Sequence, residues 1–374
     1  RNKTFRTGSS KKRPAPCIQE RDLRQEKIIR SKNLFLTFSS ARRIFSKTSL
    51  QMKKFLLFVV LLCPLISFSQ SQHQSEFQSE LSREDKIRIG EAIKISQFIS
   101  DNIWKDWSKT EFALLLVTDS LEYLINHPNP SPDFADSYFD SYLNTKVYIR
   151  KKVFQNNFLA TFPAVNGVST IVVGTAENTK RSGLYWMITL LHEHFHQYQT
   201  NYKDYYSSLD KLDLKDGDET GMWMLNYKFP YEDSTVNSKF NELKTKLNRT
   251  YESIGKKSFK KNVTGYIKSK EAFKEIVTEK DSRYFEFQLW QEGLARYTEY
   301  EILSYLIKKN YEPSEVFKSL SDYESLTDNY KKRIKRLTEE IEKVNLKDNQ
   351  RNCFYSMGAM EGLILNKYKP GWRK

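Results

Sequence analysis

His192, Glu193 and His196 stand in the run Leu190-Leu191-His192-Glu193-His194-Phe195-His196-Gln197. On a helix, this H-E-x-x-H spacing is a zinc pattern of hydrolytic chemistry: two imidazoles for one metal and a carboxylate beside them as general base. The chain holds five histidines, His73, His127, His192, His194 and His196, and three of them fall within five positions. At roughly 3.6 residues per turn, positions i and i+4 lie about 40° apart around a helix. His192 and His196 can therefore reach one metal from one face. Glu193, about 100° round from His192, can meet a water at that metal without binding it, whereas His194, at about 200°, points away and is not assigned as a ligand.

The elements that must carry these residues can be read on either side. Leu184 to Leu191 leads into the motif without Pro or Gly and predicts an apolar, buried helix. Upstream, helical spacing runs over 82–104. Extended runs follow at Phe112–Val117, Leu121–Ile125, Val147–Phe154, Phe158–Phe162 and Val168–Val173. Pro128, Pro130 and Pro132 mark a loop, and Asn156-Asn157 and Asn166-Gly167 mark turns. Residues 201–234 read as loop; 235–254, 267–308 and 314–367 read as helix, with the charged stretch Lys331–Lys343 taken as a solvated helix face. The expected fold is α+β: a small, mostly antiparallel sheet preceding a mainly helical zincin-like lobe, with the active site between them. The strand Ser169–Gly174 is a possible sheet edge for pairing with an extended peptide.

The net charge of +15 does not indicate a nucleic-acid partner. Residues 1–69 hold 16 Lys and Arg against 3 Asp and Glu, leaving 45 against 43 in the remainder. Met52-Lys53-Lys54, the apolar run of about 12 residues that begins at Phe55 and the small residues Ser67 and Ser69 read as a secretory signal peptide over 52–69. That apolar run falls short of the roughly 20 residues needed to span a bilayer. Residues 1–51 are expected to be a non-native or disordered upstream extension. Residues 70–374 are expected to form one catalytic domain: a sheet-containing lobe over 70–182 and a helical lobe over 183–374, the latter with an insertion at 201–285. Secretion or a periplasmic location follows, without a stable membrane span after cleavage. Cys353 is then the lone cysteine, expected to be a buried apolar residue.

A zinc hydrolase needs a third protein ligand and an open position. No histidine follows His196, so a carboxylate must supply it. The segment Leu289-Trp290-Gln291-Glu292-Gly293-Leu294-Ala295-Arg296-Tyr297-Thr298-Glu299 resembles the W-x-N-E-G-F-A-x-Y-x-E helix of aminopeptidase N-like gluzincins, which share a catalytic core with thermolysin. The resemblance implies that Glu292 is the third zinc ligand. It also implies that Gly293 and Ala295 allow close packing against the motif helix, and that Glu299, two turns on, is the carboxylate that orients a ligand histidine. Two features depart from the family. Gln291 stands where Asn is usual, and 95 residues separate His196 from Glu292, so 201–285 must return the second helix to the site.

The reading is a zinc-dependent peptidase acting on peptides or proteins. Zinc lowers the pKa of its water, and Glu193 takes the proton and delivers it to the leaving amine. A further donor must stabilise the oxyanion. Tyr355 is preferred, with Tyr297 and His127 as alternatives. Two other functions stay open: a zinc hydrolase of a non-peptide substrate, and a non-catalytic binding protein on a peptidase-like fold. Retention of Glu193 speaks against the second.

Overall fold

A computed structural model of the chain describes residues 80–373. The segments read as upstream extension (1–51) and signal peptide (52–69), together with His73, lie outside the described residues. The architecture is α+β, a mixed six-stranded sheet with helices against it.

Helix α1 (Arg83–Ile103) starts where the Ser82 side chain accepts the Asp85 amide, the usual N-cap device. The strands are β1 (Leu114–Val117), β2 (Leu121–Ile125), β3 (Asp136–Asp140), β4 (Thr145–Lys151), β5 (Leu159–Val165) and β6 (Val168–Gly174), in the order β3-β4-β2-β1-β6-β5. All neighbours are antiparallel except β1 and β6. Strand β1 is an unbroken Leu-Leu-Leu-Val run because both faces of the sheet are covered. Leu114 and Leu116 enter the main core with the helices, while Leu115 and Val117 join a smaller cluster with Leu124, Phe134, Val165 and Val172 on the other face.

Strand β3 was not legible in the sequence; Asp-Ser-Tyr-Phe-Asp offers no clean apolar alternation, and pairing with β4 imposes the strand. The edge assignment also needs correction. Ser169–Gly174 lies in β6, which is interior, hydrogen-bonded to β1 on one side and β5 on the other. The Asn166-Gly167 turn, with both residues at positive φ, folds β5 back along β6 as a hairpin, so β5 takes the outer position.

The motif helix α2 (Gly183–Thr200) is buried along nearly its whole length. It is clamped to the sheet by side chains. Gln197 Nε2 donates to the carbonyls of Ala113 (2.9 Å) and Ser169 (2.8 Å), and Trp186 Nε1 donates to Gly174 O (2.8 Å). Helix α1, although it precedes the sheet in sequence, packs on α2 and on the helical side, so the boundary at 182 does not separate two cores. Between 201 and 285 come short helical turns at Tyr205–Asp210 and Trp223–Asn226. Two helices that pack on each other follow, α3 (Ser234–Glu252) and α4 (Phe259–Glu275). The predicted continuous helix over 267–308 is interrupted at 276–278. There Thr278 and Asp281 form a reciprocal capping box that starts α5 (Glu279–Gln288).

Helix α5 continues through a π-helical turn, Leu289–Gly293, into α6 (Leu294–Lys308). After α7 (Leu326–Lys343) the chain closes with α8 (Cys353–Tyr368). Gly293 is required by α8, not by the motif helix as its resemblance implied. A Cβ on Gly293 would meet Gly358 Cα at 2.5 Å, and one on Gly358 would meet Gly293 Cα at 2.6 Å. The two backbones therefore touch beside Glu292. Cys353 is buried, its Sγ donating to Asn345 O (3.1 Å), and burial pushes its thiol up to about 12, so it is inert.

Candidate metal centre

Two helices build the site, and the order of contacts gives their direction. His196, later on α2, faces Glu292, while His192, earlier on α2, faces Glu299. The helices therefore run antiparallel. The four-residue step between the histidines is about 6 Å of rise and the seven-residue step between the glutamates about 10.5 Å. The glutamates thus bracket the histidine pair. Glu292 sits within the π-helical turn, a local widening common where a helix serves a function.

Three donor groups converge. His192 Nε2 and His196 Nε2 are 3.2 Å apart, Glu292 Oε2 lies 3.4 Å from His196 Nε2, and one ligand atom from each residue falls within 4.8 Å of the others. His192 Nδ1 is 2.8 Å from Glu299 Oε1. A carboxylate there requires the proton on Nδ1, leaving the Nε2 lone pair turned inward. His196 is treated the same way by an amide. Its Nδ1 is 2.7 Å from Gln199 Oε1. Gln199 cannot turn its amide over, because its Nε2 already faces the carbonyls of Trp290 and Gln291, each at 3.2 Å. Gln291 Nε2 also lies 3.2 Å from His196 Nδ1, and its Oε1 takes the Tyr205 hydroxyl at 3.2 Å. With Nδ1 protonated, Gln291 Nε2 would set donor against donor, so the Gln291 amide fits better turned over, its oxygen towards the imidazole and its nitrogen towards the Tyr205 oxygen.

Two inward Nε2 lone pairs at 3.2 Å repel unless a cation stands between them. Two nitrogens bound to one tetrahedral zinc at about 2.0–2.1 Å would be roughly 3.3 Å apart. The donor set and its spacing therefore fit a zinc ion held by His192, His196 and Glu292. Without a metal, a proton takes that role. Against the burial that opposes it, the Glu292 carboxylate lifts His196 to about 9. Glu292, despite its own burial, is held well below the usual carboxylate range by His196, His192 and a hydrogen bond from Tyr355.

Glu193 projects beside this cluster, its charge also felt by His196. Thr161 Oγ1, on edge strand β5, lies 2.9 Å from Glu193 Oε2 and 3.0 Å from Glu193 O, so its single proton is shared between carboxylate and backbone. Tyr355, from α8, has its hydroxyl on Glu292 and receives Arg351 Nη1 at 2.8 Å. Burial and then the Glu292 charge push its phenol well up, so it stays a proton donor throughout the neutral range.

The alternatives for the oxyanion donor lie elsewhere. Tyr297 packs on Gly362 and donates to Asn366 Oδ1 (2.6 Å), and His127 Nδ1 accepts the Asn129 amide (3.1 Å) in the loop after β2. His194 is core. It stacks on Trp107 with centroids 5.4 Å apart, bonds Gln197 Oε1 (2.9 Å), and burial lowers its pKa to about 4.

Sequence reasoning missed Thr161, Gln199 and the arginines behind Glu299. Gln199 alone left a trace, lying three residues after His196 on the same helix. Arg333 corrects the reading of Lys331–Lys343 as a solvated face: it is buried and its Nη1 contacts Glu299 Oε2. No family model, curated protein or solved structure matches the chain.

Proposed function

We propose that the chain is a zinc-dependent peptidase of gluzincin type, with the zincin-like arrangement of a strand edge and two antiparallel site helices. The observation that carries this reading is the pair of Nε2 atoms at 3.2 Å with a Glu292 oxygen at 3.4 Å, each imidazole fixed from behind. Zinc bound there would act as a Lewis acid on a carbonyl and make its water acidic near pH 7. Glu193 accepts the proton from the attacking water and passes it to the leaving amine. Thr161 limits the rotation of Glu193, so the carboxylate keeps one face towards the cluster. Tyr355, whose hydroxyl proton faces Glu292 in the free site, turns that proton to hydrogen-bond the oxygen on which negative charge develops. Edge strand β5, whose outer side carries no sheet partner among the described residues, offers backbone groups to an extended chain beside Glu193.

The secreted or periplasmic setting belongs to the same proposal and rests on the sequence of 52–69 alone. A peptide-library digest tests the function. Cleavage that is abolished by a zinc chelator and restored by zinc is expected. A library left intact by zinc-loaded protein would favour a hydrolase of another substrate or a binding protein.

A further inference from the structure

We infer that Arg333 is a positioning residue for the site: it fixes the carboxylate of Glu299, which in turn sets the orientation of His192. The inference rests on the zinc reading of His192, His196 and Glu292 and deepens it. Glu299 gives one oxygen to His192 Nδ1 at 2.8 Å, and its other oxygen is held by Arg333 Nη1. Arg296 Nε stands 3.6 Å from the first oxygen. A buried carboxylate without such partners would be costly and would be free to turn away from the imidazole.

Arg333 is itself held on two sides. Its Nε donates to Asn329 Oδ1 at 2.8 Å, and its guanidinium lies 4.3 Å from the ring centroid of Tyr185. Tyr185 precedes His192 by seven residues, about two turns on the same face of α2. One guanidinium therefore touches both the motif helix and the carboxylate on α6, and it comes from α7, which gives no ligand. It fixes the separation of α2 and α6 where Glu299 must meet His192. Only a planar fork can stack on Tyr185 and hold Glu299 together; a lysine supplies a point charge and no stacking face.

The test uses the full chain and measures zinc affinity by chelator competition, the visible spectrum of the cobalt-substituted protein, and the melting temperature without metal. Arg333→Met is expected to weaken zinc binding by about 10–100-fold, as is Glu299→Gln, the range found when groups behind metal ligands are removed. Both are expected to alter the cobalt spectrum alike. In the Glu299→Gln background, Arg333→Met should cost no more than about twofold further, because residues acting through one contact are not additive. Wild-type affinity in Arg333→Met, or a loss that adds in full to that of Glu299→Gln, would overturn the inference while leaving the zinc site standing. A wild-type chain that binds no zinc would overturn both. If Arg333→Met does not fold, Arg333→Lys carries the test. It should weaken zinc in the wild-type background and leave the Glu299→Gln affinity unchanged, and affinity equal to wild type would again contradict the role.

Discussion

Glu193→Gln is expected to lower kcat for peptide hydrolysis by about 10²–10⁴-fold, the usual worth of a positioned general base, while zinc still binds. The amide has the shape of the carboxylate, and its oxygen can still accept from Thr161 Oγ1, which lies 2.9 Å from Oε2 in the native chain. Geometry is therefore preserved and only proton acceptance is lost. His192, His196 and Glu292 are untouched, so affinity by chelator competition should stay near wild type. Steady-state kinetics on a peptide taken from the library digest supply kcat. Undiminished turnover would remove Glu193 as the base.

Tyr355→Phe should show a different pattern. Loss of one oxyanion donor costs about 10²–10³-fold in kcat in comparable sites, with KM little changed. Because the Tyr355 hydroxyl also bonds the Glu292 carboxylate, a modest weakening of zinc binding is expected alongside. The two roles separate at saturating zinc. There the kcat loss should persist if the hydroxyl acts on the reacting oxygen. Recovery of full kcat once zinc is saturating would show that Tyr355 serves only to hold Glu292. Arg351, which donates to the same hydroxyl at 2.8 Å, keeps that oxygen turned towards the cluster and explains why the phenol proton is free to face Glu292.

The parts of the site legible in the sequence were those fixed by local period or by a second motif. His192 and His196 on one face at i and i+4, with His194 pointing away, follow from helix geometry alone; the stacking of His194 on Trp107 does not. Glu292 and Glu299 came from resemblance, and the seven-residue step between them places each against a different histidine. Strands β1, β2, β4, β5 and β6 were visible through their apolar runs and the Asn166-Gly167 turn. What failed were judgements that need tertiary partners. Period cannot say whether a strand is inside or at the edge of a sheet, so β6 was misplaced. Gly293 announces a close approach without naming Gly358 as the neighbour. Arg333 reads as one more charge in a basic run until α7 is laid against α2 and α6. Thr161 carries no signal at all, being an ordinary strand residue whose contact to Glu193 exists only when β5 lies beside α2.

The central claim is a single zinc ion held by His192, His196 and Glu292, and metal content measured on the full chain tests it most directly. The account predicts one zinc per chain after loading and dialysis, an affinity lowered by more than the roughly 100-fold upper end of losses from groups behind the ligands in Glu292→Gln, and a comparable loss in His196→Ala. A chain that retains no zinc, or one whose zinc is unaffected by both substitutions, would contradict it.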